Sequence, residues 1–208
     1  MSLPPLLVVT DRTQAARPLE EVVAEVLAAG AEWILFRDKD LEPEARYVMA
    51  ERLAALTRRA GARLSISRDV DLAASLGVDL HVQTPGAVAE ARARLGDAVI
   101  GLSAHNLADV EAGAKAGADY MTLSPIFPSP SKPGYGPPLG PGVFRQGPVH
   151  GPPLYALGGL TPENAAACLA AGAAGVAVMG EIMRDPKPGR RTREFLAALG
   201  IPAETRIP

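Results

Sequence analysis

The stretch Leu27-Ala28-Ala29-Gly30-Ala31-Glu32-Trp33-Ile34-Leu35 decides the fold. Its first residues close a segment in which apolar side chains recur at helical spacing, and Gly30 is the residue type that commonly follows the last turn of a helix. An apolar run begins within about three residues of that glycine, which predicts a short buried strand. The stretch therefore predicts a helix that ends on a glycine and leads directly into a strand.

The same arrangement recurs around Gly77, Gly117 and Gly172, which predicts strands near 78–82, 120–123 and 176–178. Further strands are predicted at 6–10, 63–67, 98–103 and 154–157, and helices at 19–27, 44–60, 70–76, 88–95, 107–116, 162–171 and 192–199. Strict alternation indicates parallel strands with right-handed crossovers, in a closed barrel or an open doubly wound sheet. Eight short strands in 208 residues, without Gly-x-Gly-x-x-Gly after the first, favour one (β/α)8 TIM barrel over 1–208.

The segment 125–153 interrupts this pattern. It contains ten of the chain's 20 prolines and shows no apolar periodicity. Such a composition is compatible with a linker between domains. The strand pattern resumes directly after the segment, however, so we expect a long loop over the barrel mouth that serves as a lid.

Composition narrows the class of ligand. The formal net charge is −2 and no basic block is present, which argues against nucleic acid or an anionic membrane as the main partner and favours a small molecule. The N-terminus lacks the regions of a signal peptide, and the single cysteine, Cys168, lies in an apolar helical setting typical of packing. No uncharged stretch reaches the length of about 18 residues that a spanning helix needs. We expect a cytoplasmic protein, and a homo-oligomer is compatible with the sequence.

Residues at the carboxyl ends of barrel strands face the active site. Four cations fall there or in the long loop, and together they indicate an anionic ligand, although each alone is compatible with a solvated surface charge. They are Arg37, Lys39, Arg68 and Lys132.

Two glycine-containing loops point to a phosphate. Gly158-Gly159 follows the seventh predicted strand and Gly180 follows the eighth, where barrels commonly hold a phosphate on backbone N–H groups. A simple tight turn is the alternative for the paired glycines. Among the histidines, His105 follows the fifth strand and is the better candidate for general acid/base catalysis, whereas His81 lies within an apolar strand and is typical of a core histidine.

Taken together, these motifs resemble the thiamin-phosphate synthase superfamily, which includes the TenI branch of thiazole tautomerases. The resemblance runs from about 8 to 180. It is carried by Arg37-Asp38-Lys39, His81, Ile100-Gly101-Leu102-Ser103-Ala104-His105, Asp119-Tyr120, Pro125-Ile126-Phe127 and Ala156-Leu157-Gly158-Gly159-Leu160-Thr161-Pro162-Glu163-Asn164. It implies a (β/α)8 barrel in thiamin metabolism.

The resemblance also implies that the thiazole phosphate side of the site is better kept than the diphosphate side. Synthases join a pyrimidine diphosphate to a thiazole phosphate and hold the diphosphate through two magnesium-binding aspartates. Arg68 and Gly86 stand at those two positions in this sequence, and Leu35 replaces the glutamine of the pyrimidine side. The thiazole phosphate side is better retained, because Gly158 and Gly159 match and serines replace two threonines.

These comparisons favour a metal-independent, TenI-like thiazole tautomerase, an isomerase without a cofactor. The expected roles are catalysis by His105 and Lys39, phosphate binding by Gly158, Gly159, Met179, Gly180, Ser129 and Ser131, and substrate binding by Arg37, Ser103 and Lys132. One alternative is a thiamin-phosphate synthase with an altered Mg²⁺ site, a transferase, and only this reading requires Mg²⁺. The other is a non-catalytic protein that binds thiazole phosphate or thiamin phosphate.

Overall fold

A computed structural model describes residues 2–38, 40–128, 137–147 and 151–201 of the chain. Its strands are β1 Leu6–Val9, β2 Trp33–Phe36, β3 Arg63–Ser67, β4 Asp79–Val82, β5 Ile100–Ala104, β6 Tyr120–Leu123, β7 Leu154–Leu157 and β8 Gly175–Val178. Its helices are α1 Leu19–Ala28, α2 Pro43–Ala60, α3 Val70–Leu76, α4 Pro85–Leu95, α5 Leu107–Ala116, α6 Pro162–Ala170, α7 Gly180–Met183 and α8 Pro188–Ala198, with a 3-10 helix at Pro141–Gln146.

The eight strands form one closed parallel barrel in sequence order. Closure is made by β1 against β8, with Leu6 opposite Val176 and Val8 opposite Val178. This confirms the predicted (β/α)8 barrel and excludes the open sheet. All strands point the same way, so their carboxyl ends gather at one mouth.

Aromatic side chains fill the barrel interior below that mouth. The ring of Trp33 lies 4.6 Å from the ring of Tyr120 and 5.5 Å from that of Tyr155, centroid to centroid. The Trp33 indole N–H donates to Ser65 Oγ at 2.9 Å, which satisfies the buried donor. A second apolar layer packs between the strands and the surrounding helices. These aromatic side chains therefore pack the barrel interior below the mouth.

Several predicted boundaries shift for a local reason. Helices α4 and α8 begin at Pro85 and Pro188, earlier than predicted, because proline is well tolerated at the first helical position. The short helix α7 and the 3-10 helix were not predicted, since neither is long enough to show apolar periodicity. Within the described chain, no helix combines the length and apolar character needed to cross a membrane.

The described part of the Pro/Gly-rich segment packs on the outside of the barrel. Its 3-10 helix buries Val143 and Phe144 and lies against α6. It is tied back to the loop after β6, because Leu139 N donates to Pro125 O at 2.9 Å. The predicted lid is the whole segment 125–153, of which 129–136 and 148–150 lie outside the described residues, and its role as a lid stays a prediction.

Candidate functional site

The mouth of the barrel brings most of the predicted site residues to one end of the molecule. Arg37 follows β2, Ser103 and His105 lie at the end of β5, and the paired glycines follow β7. Four other predicted residues lie outside the described part of the chain, and nothing tests their roles. They are Lys39, Ser129, Ser131 and Lys132.

A cavity of about 290 Å³ opens between the loops after β7 and β8. One wall contains Gly158, Gly159 and Thr161, and the other contains Met179, Gly180 and Arg184. The four described residues predicted to bind phosphate therefore line one pocket. Both loops approach it with little or no side chain at the glycines, which leaves the backbone accessible to a ligand.

The paired glycines adopt backbone conformations that other residues rarely accept. Gly158 has φ 96° and Gly159 has φ 65°, and a β-carbon on Gly159 would lie 2.7 Å from Phe127 Cβ. The turn is fixed from the other side by Asn164, whose Nδ2 donates to Gly159 O at 2.9 Å. Asn164 Oδ1 also accepts from Thr161 N at 2.9 Å, as part of the cap of α6. The glycines do form a tight turn, and that turn is a wall of the pocket.

Arg184 is the cationic residue of this pocket, and it was not predicted from the sequence. It follows α7, and its backbone N–H donates to Gly180 O at 3.1 Å, so its side chain starts one turn beyond Gly180. The guanidinium lies against the Gly180 backbone, because a β-carbon there would come within 2.7 Å of Arg184 Cζ. Its Nη1 donates to the neutral Gln14 Oε1, and no carboxylate among the described residues pairs with it.

A buried carboxylate organises the loops after β1 and β2. Asp38 is 3% exposed and accepts from Thr10 Oγ1 and from Arg12 N, each at 2.5 Å. Burial raises the pKa of Asp38 in spite of these hydrogen bonds. Thr10 Oγ1 in turn accepts from Arg37 N at 3.0 Å. Asp38 therefore fixes the backbone of Arg37, whose guanidinium lies 3.9 Å from Asp11.

A histidine-centred network lies beneath the opposite part of the mouth. His81 is 3% exposed; its Nδ1 lies 2.9 Å from the Tyr120 hydroxyl and its Nε2 lies 3.0 Å from Ser103 Oγ. Burial lowers the pKa of His81 to about 4, so the ring is neutral at pH 7. Gly101 makes room for this contact, because a β-carbon there would lie 2.5 Å from His81 Nδ1. His81 is a core histidine, and the predicted substrate residue Ser103 is bonded to it.

His105 stands apart from the pocket between β7 and β8. It is exposed after β5, with its Nδ1 3.1 Å from Ser124 O and 3.2 Å from Ser124 Oγ, and its backbone N–H donates to Asp109. It is not among the residues that line the 290 Å³ cavity. The structure therefore places His105 at the mouth beside β6, and its catalytic role stays a prediction.

The residues after β3 and β4 do not fit a resident magnesium ion. Arg68 occupies the end of β3 and directs its Nη2 to Gln83 Oε1. The neighbouring Asp69 is already engaged, because Oδ1 accepts from Leu72 N at 3.0 Å and Oδ2 pairs with Arg46 at 2.6 Å. Across the described residues, no group of three or more His, Cys, Asp and Glu side chains is arranged to hold a metal. Mg²⁺ requires oxygen ligands, and a guanidinium stands in their place.

Comparison with known proteins identifies the family. The family model described as thiamine monophosphate synthase matches residues 6–182. A putative thiamine-phosphate synthase of Geobacter sulfurreducens is 41% identical over 97% of this chain and 96% of its own length. A thiamine-phosphate synthase of Geobacillus thermodenitrificans is 37% identical over 83% of this chain and 81% of its own. The solved thiamine phosphate pyrophosphorylase of Pyrococcus furiosus superposes with a TM-score of 0.84 at 26% identity, covering 94% of this chain and 95% of that one.

These findings correct one prediction. The expectation of a TenI-like tautomerase was wrong, because the relatives that match nearly the whole chain are named as synthases and none of the similarity singles out the TenI branch. The error came from two positions, Arg68 and Gly86, where carboxylates were expected. The carboxylates would act by holding a metal cation that neutralises the diphosphate, and an arginine can supply positive charge in its place. Loss of the carboxylates therefore does not by itself indicate a different reaction. The chain belongs to the thiamine monophosphate synthase family of enzymes.

Proposed function

We propose that this protein is a thiamine-phosphate synthase, a transferase that joins a pyrimidine diphosphate to a thiazole phosphate. The observation that carries the proposal is the similarity to synthases along almost the entire chain, at 41% identity for the Geobacter relative. The family-model match over 6–182 spans both glycine loops that form the pocket. In this reaction the pyrimidine is transferred to the thiazole and the diphosphate leaves.

The pocket between β7 and β8 suits the monophosphate of the thiazole. Its glycines expose backbone on both sides, and Arg184 supplies one full positive charge without a carboxylate partner among the described residues. Glu181 is the acidic residue in the wall, and it is neutralised by Arg191 at 2.5 Å. A planar guanidinium can donate two parallel hydrogen bonds to a phosphate, which would fix the direction in which the thiazole enters the mouth.

Positioning is the main contribution that these residues make to the reaction. Anchoring one substrate by its phosphate turns the encounter of two reactants into a step between bound groups, which raises the effective concentration of the reacting ring. On the other side of β1, the buried Asp38 fixes the backbone of Arg37 through the Thr10 hydroxyl. The described residues after β3 and β4 do not fit Mg²⁺.

The experiment is a product assay with purified protein, the pyrimidine diphosphate and the thiazole phosphate. We expect thiamine phosphate, detected by mass spectrometry, only when both substrates are present. Tight calorimetric binding of thiazole phosphate without any product would contradict the proposal and favour the non-catalytic alternative. The Arg190→Gln variant is the control for protein quality, because Arg190 lies on α8 and pairs with Asp185 and Glu194, away from the pocket.

A further inference from the structure

Arg68 has a backbone conformation that its residue type does not favour. Its φ is 69°, which makes it the only residue other than glycine with positive φ in the described chain. Asn, Asp and Gly tolerate this left-handed region better than arginine does. The conformation is imposed by strand pairing, because Arg68 N donates to His81 O at 2.9 Å. Strained residues of this kind concentrate at functional sites, which points to a functional role for Arg68.

The guanidinium of Arg68 is available for an anion. It is exposed at the mouth, and its contact is with the neutral Gln83 after β4. The nearest acid in the sequence, Asp69, is committed to Leu72 N and to Arg46. Within the described chain no carboxylate pairs with Arg68, so its charge is uncompensated and would repel a metal cation.

The position of Arg68 matches the need for a second anion site. In the closed ring of eight strands, β3 and β4 lie across the barrel from β7 and β8. Arg68 therefore faces the mouth from the side opposite the pocket that contains Gly158, Gly180 and Arg184. A reaction that joins two phosphorylated rings requires the two anions to be held apart while the rings meet, and this arrangement separates them.

We propose that Arg68 binds the diphosphate of the pyrimidine substrate directly, in place of a carboxylate-bound magnesium ion. The inference rests on the proposed synthase function. When the bond between carbon and the diphosphate oxygen breaks, the diphosphate leaves with both bonding electrons, and the guanidinium stabilises the added negative charge without a proton transfer. The thiazole nitrogen supplies the electron pair for the new carbon–nitrogen bond. Five N–H donors in a planar fork suit adjacent phosphate oxygens.

The test measures binding of inorganic pyrophosphate by calorimetry in the presence of EDTA, and again with Mg²⁺. The Arg68→Asn variant removes the charge and keeps a residue type that accepts positive φ. The matched control is Arg59→Asn, an exposed arginine in the last turn of α2, at the end of the barrel away from the mouth. Thermal melting of both variants checks that they fold.

We expect wild type and Arg59→Asn to bind pyrophosphate equally well in EDTA, with no tightening by Mg²⁺. Arg68→Asn should bind at least about 10-fold more weakly, and Arg68→Lys should lie between the two because it keeps charge without the bidentate fork. Binding that requires Mg²⁺, or unchanged binding by a folded Arg68→Asn, would overturn the inference. A different result would contradict the proposed function. If pyrophosphate binds through Arg68 but no thiamine phosphate is formed, the anion site is supported and the synthase function is not.

Discussion

The guanidinium of Arg184 lies against the backbone of Gly180, so closely that a β-carbon on Gly180 would come within 2.7 Å of Arg184 Cζ. A glycine and a cation thus share one corner of the pocket between β7 and β8. The absence of a side chain at Gly180 leaves room for the Arg184 guanidinium, and the guanidinium adds positive charge to a pocket lined by backbone. Both residues are accordingly expected to affect the same substrate.

Replacing Arg184 by glutamine should weaken binding of the thiazole phosphate. Loss of one charged hydrogen-bond donor predicts a KM for thiazole phosphate that rises by about 10- to 100-fold, with the KM for the pyrimidine diphosphate nearly unchanged. Steady-state kinetics with each substrate varied in turn measures the split. The same substitution at Arg190, which pairs with Asp185 and Glu194, is the control. Equal increases in both KM values would show that Arg184 does not act through the thiazole phosphate.

Gly180→Ala should mimic the loss of Arg184 although the arginine is still present. The added methyl group forces the flexible guanidinium away from the pocket corner. We expect a similar increase in the KM for thiazole phosphate, and a double variant with Arg184→Gln that is little worse than either single variant, because both changes remove one interaction. Additive effects in this double-mutant cycle would contradict the claim that Gly180 and Arg184 act through one interaction.

Gly159→Ala should reduce stability as well as binding. The backbone has φ 65°, and the new β-carbon would meet Phe127 and Pro128. A loss of about 1–3 kcal/mol in the free energy of unfolding is expected from urea denaturation. Gly86→Ala in α4 is the matched control, because its β-carbon would enter open space within a helix and should be neutral or stabilising by up to about 1 kcal/mol. Similar stabilities for the two variants would refute the geometric account of the glycine turn.

The buried His81 predicts a pH dependence of stability. Its pKa is about 4 in the folded protein and about 6.5 when unfolded, so the unfolded chain takes up a proton first as the pH falls. The contribution of neutral His81 to the free energy of unfolding is therefore fully present above pH 6.5. It is lost as the pH falls from 6.5 to 4, by up to about 3 kcal/mol. Denaturation of wild type and His81→Gln across this range measures the difference.

The comparison of variant with wild type isolates His81 from the acids. Burial raises the pKa values of Asp38 and Asp79, and these residues contribute stability in the opposite direction as the pH falls. Both are present in wild type and in His81→Gln, so their contribution cancels. Parallel stability curves from pH 7.5 to 4.5 would mean that His81 is not neutral in the folded core.

Much of the fold was predictable because it repeats. The bounds of β3, β7, α3 and α5 matched the prediction residue by residue, since each is a short apolar or periodic run bordered by a clear start or stop residue. The pocket between β7 and β8 was predictable because the loops after the last two strands of such barrels commonly hold a phosphate, and phosphate binding there stays a prediction. The predictions of a cytoplasmic location and of a homo-oligomer stay predictions.

Other features could not be predicted from local sequence. Arg184 enters the pocket only because the four-residue helix α7 turns it back toward Gly180, and so short a helix shows no periodicity. The role of Asp69 as the N-cap of α3 and partner of Arg46 depends on contacts 3 and 23 residues away in sequence. The choice of reaction failed because the loss of two metal-binding carboxylates was given more weight than the resemblance to synthases along the chain.

The central claim is that the mouth holds a monophosphate at Arg184 and a diphosphate at Arg68, on opposite sides of one barrel. A crystal structure grown from EDTA-containing solution with thiazole phosphate and pyrophosphate tests it most directly. The account predicts the thiazole phosphate within about 3 Å of the Gly180 backbone and the Arg184 guanidinium, and pyrophosphate at a similar distance from Arg68 with no metal between them. Thiazole phosphate bound beside β3 and β4, or a pocket between β7 and β8 that stays empty at saturating ligand, would contradict it.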